Sequence, residues 1–245
     1  MFQFGMDKKT LYIIMAVLVI MSLGRYLSDT SALLSLVLTL PAVLIAITFH
    51  EYAHALAADK LGDDTPRRQG RLTLNPLAHL DPIGSIMLVF AGFGWGKPVE
   101  INPRNFNRTV TMSKGEAIVS IAGPLMNFIL SIVFSIIYFA IAKFAPTFIF
   151  TQLGIIIITL IQITIMINVG LGVFNLIPLP PLDGSKVLSH FLPYNAKDWF
   201  ARYSQVFYVV FVVLWITGIA GDIISPIINL VYTGITNLVG LLFGI

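Results

Sequence analysis

The chain is built from long apolar runs divided by short polar breaks, and run length decides which of them can cross a membrane. Leu11 to Leu27 is about 17 residues, just enough for a hydrocarbon core roughly 30 Å thick. Ala32 to about Leu61 predicts a long second helix with a possible kink at Pro41. Glu116 to Ala142 and Phe150 to Leu176 predict two more spans, and Tyr203 to Ala220 with Ile223 to Phe243 a final pair meeting at Gly221-Asp222. One run stands apart, because Ile83 to Phe93 is only about 11 residues and too short to span. The residues closing it, Gly92 through Pro103, combine glycines with alternating side chains, a pattern that suggests a short strand or hairpin. An open strand edge there could accept an extended peptide by strand addition; a plain interfacial loop is the alternative.

Composition sharpens this pattern. At 57% hydrophobic, 11% charged and a mean hydropathy of +0.88, the 245 residues exclude an ordinary water-soluble domain. Met1 to Thr10 carries no small-residue cleavage signal, so the first run reads as a retained span. The net charge of +3 reflects loop bias and not nucleic-acid binding. Lys8 and Lys9 precede the first span and start the chain in the cytoplasm. With the Ile83–Phe93 run turning back, 13 of the 15 Lys and Arg residues fall on the cytoplasmic side and only Arg25 and Lys143 outside. If that run crossed, seven of them would move outside and Lys143 inside, leaving seven against eight. The positive-inside bias therefore favours a re-entrant element. The expected fold is an all-α polytopic membrane protein forming one domain over residues 1–245. It has about six transmembrane helices, a re-entrant or β-hairpin element between the second and third, and both termini cytoplasmic. Its core covers about residues 32–192, with accessory helices at about 11–27, 203–220 and 223–243.

Within the second span lies Thr48-Phe49-His50-Glu51-Tyr52-Ala53-His54-Ala55. Residues four apart stand one helical turn apart on one face, so both imidazoles of H-E-x-x-H point toward one metal. Glu51 sits beside that face, placed to take a proton from a water that the metal activates. Three fixed positions recur by chance on solvated helices, but the flank from Ala32 to Phe49 is apolar apart from Ser35, Thr39 and Thr48. Ionisable residues at the bilayer centre cost roughly 2.5–3.5 kcal/mol each on insertion scales, which makes them functional by default. With no cysteine in the chain, any zinc would have to be held by His, Asp and Glu. His50 lies about 18 residues, roughly 27 Å, from the outer start of its helix, which places the motif in the cytoplasmic half of the membrane. Span parity brings Asp183, after the helix-breaking Pro178, Pro180 and Pro181, to the same face. Asp183 is the best third ligand, with His190 and His79 as competitors; His79, beside Asn75 and Asp81, also reads as a loop tether. Asn127, on the third full span at similar depth, could donate to a developing oxyanion or simply bridge two helices.

With His50-Glu51-x-x-His54, Gly123-Pro124-x-x-Asn127 and Asn175-x-x-Pro178-x-x-x-x-Asp183-Gly184 in this order, the chain resembles the site-2 protease family of intramembrane zinc metalloproteases, over roughly residues 40–190. The loop from Gly70 to Pro82 looks like its compact prokaryotic branch, without PDZ or CBS domain. The resemblance implies one zinc ion on His50, His54 and Asp183, Glu51 activating water, and hydrolysis within transmembrane protein or peptide substrates in the cell membrane, with room for a regulatory membrane partner. The rival reading is a metal-ion or proton transporter. The clustering of ionisable residues at one end and the lack of an inverted repeat speak against it.

Overall fold

A computed structural model describes residues 19, 20, 24, 27–91 and 96–245. The predicted first span lies mostly outside the described residues. Helix α1, Thr30–Lys60, begins where the Asp29 carboxylate accepts from the Ser31 and Ala32 amides, and ends at Gly62, whose φ of 101° suits glycine. At 1.5 Å per residue its 31 residues run about 46 Å, longer than the roughly 30 Å apolar core. A short helix α2, Thr65–Arg68, follows, then α3, Pro82–Ala91. The two remaining long central helices are α4, Met112–Phe144, and α5, Gln152–Asn175, started by the Thr111 and Thr151 hydroxyls. Beyond the proline-rich turn lie α6, Asp183–Phe191, α7, Tyr194–Arg202, α8, Ser204–Ile216, and α9, Ile219–Phe243. Helices α1, α4, α5 and α9 are long and apolar enough to cross a membrane.

Helices α1, α4 and α5 pack on one another, and α9 covers α4 and α5. The interior joins Ile161, Ile165, Val169 and Val173 of α5 to Ala220 and Ile224 of α9. The α1–α4 contact is close at Gly123, where a Cβ would collide with the α1 histidine rings, while Gly115 makes room for Phe106.

Two expectations change. The element between the second and third spans is helical: α3 starts where the Asp81 carboxylate accepts from the Gly84 amide and the Asp81 carbonyl from the Ser85 amide, with Pro82 in the first turn. Residues 92–95 lie outside the described part, and no strand occurs among the described residues. Among the described residues, an isolated antiparallel bridge, Leu80 to Gly96, joins the two ends of this excursion. The second change concerns the C-terminal pair. Helix α8 has 13 residues, about 20 Å, too short to cross, and the chain breaks at Gly218 (φ 81°) and not at Gly221-Asp222. Helix α9 then runs parallel to α4: the Lys143 ammonium donates to the Phe243 carbonyl, and Phe139 stacks on Phe243. Helices α9 and α4 therefore end side by side, at Phe243 and Lys143.

Loops at the starting end of α4 are tied by buried polar groups. The Asp63 carboxylate accepts from the Thr65 amide and hydroxyl, the Asn102 amide (2.6 Å) and the Asn105 side chain (2.9 Å). Burial alone would raise this carboxyl, but those donors hold it below the ordinary carboxylate value. The link anchors the chain leaving α1 to the segment after Gly96.

Candidate metal centre

His50 and His54 lie one turn apart on α1, with their rings edge to face at 4.6 Å. The His50 Nδ1–H donates to Asn127 Oδ1 at 2.7 Å, and the His54 Nδ1–H to the Val119 carbonyl at 2.7 Å; both acceptors are on α4. The orientation of Asn127 follows from its other contacts. Its amide nitrogen donates to the Ala46 carbonyl (3.1 Å), which can only accept, and to Asn168 Oδ1 (2.9 Å), while the Asn168 amide nitrogen donates to the Thr164 carbonyl. Oδ1 is thus left for His50. Asn127, fully buried, bridges α1, α4 and α5 and aims an imidazole, and both its amide protons are taken.

In a neutral imidazole whose Nδ1 donates, Nε2 keeps its lone pair and is free to bind a metal. The two Nε2 atoms lie 3.1 Å apart, and Asp183 Oδ2 is 3.1 Å from that of His54 and 3.2 Å from that of His50. Three acceptors in such a triangle repel unless a cation lies among them. Tetrahedral zinc, with bonds of about 2.0–2.1 Å to N and O, separates its ligands by roughly 3.3–3.4 Å, so the donor set and its spacing fit that ion. Asp183 opens α6 after Pro178, Pro180 and Pro181 stop α5. Gly184 makes the approach possible, since a Cβ there would overlap the Leu176 carbonyl. Gly123 of α4 faces the histidines so closely that a Cβ would stand 2.7 Å from His50 Cε1 and nearer still to the His54 ring.

The competing histidines are elsewhere. His190 ends α6 with Nδ1 3.2 Å from the Ser113 hydroxyl, to which Lys197 also donates. His79 is fully buried in the loop, its Nε2–H donating to the Thr73 carbonyl at 2.8 Å. Among the described residues, His50, His54 and Asp183 alone form a group able to hold a metal.

Glu51, next to His50, has Oε2 accepting from the Val99 amide at 3.0 Å. The segment across it is held from within. The Lys97 amide donates to the His79 carbonyl, and the buried Arg71 guanidinium donates to the carbonyls of Lys97, Pro98 and Ala78. Pro98 has no amide proton, so every backbone polar group from the Lys97 amide to the Val99 amide has an internal partner or does not exist. This stretch offers no free edge for strand addition.

The family model described as Peptidase family M50 matches residues 87–218. The chain is 37% identical over 195 residues to "Putative zinc metalloprotease YwhC" of Bacillus subtilis, covering 79% of this chain and 85% of that protein. The chain belongs to peptidase family M50. It is also 30% identical over 185 residues to "Putative zinc metalloprotease Rip2" of Mycolicibacterium smegmatis, covering 74% of this chain and 67% of that one. A protein of the same name from Mycobacterium tuberculosis is 28% identical over 184 residues. No solved structure matches the chain. For this M50 chain the matched stretch includes Asn127 and Asp183 but begins after His50 and His54, whose place in the site rests on geometry.

Val119, Asn168 and Arg71 were not legible as site residues, and Gly123 and Val99, though within stretches singled out in the sequence, were not legible in the roles they take here. Asn168, an amide within an apolar run, was the one with a visible signal. Outer hydrogen-bond partners of metal-bound imidazoles typically contribute 10–100-fold in affinity. Asn127→Ala is expected to weaken zinc binding by about that factor, read by competition with a chromophoric chelator.

Proposed function

We propose that this M50 chain is an intramembrane zinc metalloprotease that hydrolyses peptide bonds within or near the transmembrane segments of membrane-protein substrates. The observation that carries the reading is the triangle of three possible metal ligands, His50 Nε2, His54 Nε2 and Asp183 Oδ2, at one end of a bundle of apolar helices. Zinc bound there would polarise the scissile carbonyl and bring the acidity of a water toward neutral. Glu51 accepts the proton of the attacking water and passes it to the leaving amine. Asn127 and the Val119 carbonyl hold the imidazoles, so Asn127 acts as a positioning residue in this reading and not as an oxyanion donor. A substrate helix has to unwind before attack, because helical amides and carbonyls are engaged with one another. With residues 97–99 internally paired, pairing with the extended substrate falls to their neighbours Glu100 and Ile101 in this reading.

In the same reading, the end of the bundle carrying the site faces the cytoplasm, as the charge count favours, and water enters by that short path. The Leu80–Gly96 bridge, which brings the ends of the short excursion together, supports a re-entrant element. No Lys or Arg follows Arg202, so the charge bias is silent on the C-terminus; the Lys143–Phe243 contact supports an outward one. Residues 1–245 form one multi-pass domain of the cell membrane with its core at about 32–192, open to control by a membrane partner. The test is cleavage of a transmembrane peptide by detergent-purified protein. Chelation is expected to abolish cleavage and stoichiometric zinc to restore it; cleavage insensitive to chelation would overturn the reading.

A further inference from the structure

Arg71 is a buried cation whose hydrogen bonds all go to carbonyls. It joins two loops, taking Ala78 on one side and Lys97 and Pro98 on the other. Arginine can do this because its planar fork presents several donors in fixed directions, which a lysine ammonium does not reproduce. Burial lowers its basicity from the ordinary value, and the nearby carboxylates of Glu51 and Glu100 partly restore it. The bonds have a geometric consequence one residue further on. Fixing the Lys97 and Pro98 carbonyls fixes the peptide plane that joins Pro98 to Val99, and the amide of that plane is the donor to Glu51 Oε2 at 3.0 Å. Glycine at 96 lets the segment lie this low, since a Cβ there would stand 2.9 Å from Ile47 Cγ2 and 3.1 Å from the His79 carbonyl.

We infer that Arg71 is a positioning residue for Glu51, acting through the 97–99 segment: it aims the Val99 amide at Oε2, which locks the carboxylate plane and leaves Oε1 for proton transfer. The inference rests on the reading of Glu51 as the proton carrier. In zinc-stripped protein, hydrogen exchange at residues 97–101 is expected to rise about tenfold in both Arg71→Lys and Glu51→Ala, with residues 119–127 unchanged. In zinc-loaded protein, Arg71→Lys should lower kcat by roughly 10–100-fold with little change in KM, a misplaced reacting group costing about that much. Val99→Pro removes the donor to Glu51 while also fixing φ at 99, and the double variant Arg71→Lys/Val99→Pro should be no slower than the slower single variant. Zinc content near one per chain serves as the folding control, with Arg71→Gln replacing any variant that fails it. Unchanged exchange, additive losses, or a higher KM at unchanged kcat would overturn the inference. Wild-type protein that cleaves nothing, or that cleaves after chelation, sinks the protease reading instead, and the metal-free exchange data still decide the role of Arg71.

Discussion

Asp183→Ala is expected to empty the metal centre, and His190→Ala to leave it full. Asp183 Oδ2 is the only carboxylate oxygen within reach of both histidine Nε2 atoms among the described residues, at 3.1 and 3.2 Å. Without it, two imidazoles remain for an ion that takes three protein ligands in catalytic sites. The loss of affinity should exceed the roughly 10–100-fold typical of an outer hydrogen-bond partner, and cleavage should fall to background. His190 lies at the other end of α6, where Nδ1 faces Ser113. Removing it loosens the junction of α4, α6 and α7 but takes nothing from the triangle. Zinc measured by chelator competition on the two variants, side by side, checks the assignment. Full zinc in Asp183→Ala, or its loss in His190→Ala, would transfer the third ligand to His190.

Why Asp183 could be foreseen and Arg71 could not is a matter of what leaves a mark in residue types. A carboxylate after three prolines at the end of an apolar run has a definite side of the membrane, and span parity carries it to the histidines. A guanidinium whose partners are backbone carbonyls leaves no such mark, because any residues at positions 78, 97 and 98 would supply them. Asn127 is intermediate. Its depth was readable, but whether its amide nitrogen or its oxygen faces the site depends on Ala46, Asn168 and Thr164, contributed by two other helices.

The fold shows the same division. Helices α1, α4 and α5 coincide with long apolar runs because nothing shorter than such a run can cross. The length of the run from Ile83 says only that it is too short to span, and the strand expectation falls on Gly92 to Pro103; the helix over Pro82–Ala91 is set by its start at Asp81-Pro82, a cap that the length of the run does not reveal. At the C-terminus the count of crossings failed for want of charge. No Lys or Arg after Arg202 could report a side, and the left-handed turn at Gly218 cuts one predicted span to a 13-residue helix. A parity argument weakens wherever the loops carry no charge to check it.

Glu51→Gln is expected to stop cleavage while leaving zinc content and stability unchanged. Glutamine keeps the volume of glutamate and a carbonyl oxygen that still accepts from the Val99 amide, so the 97–99 segment stays anchored. What it loses is basicity, and loss of a positioned general base costs roughly 10²–10⁴ in rate. Glu51→Ala, by contrast, also frees the Val99 amide. The two variants should therefore be equally inactive but differ in hydrogen exchange over residues 97–101. That pairing separates the two jobs of one side chain, proton transfer and loop anchorage. Cleavage by Glu51→Gln at a wild-type rate, with zinc present, would remove Glu51 from the chemistry and leave it only the structural role.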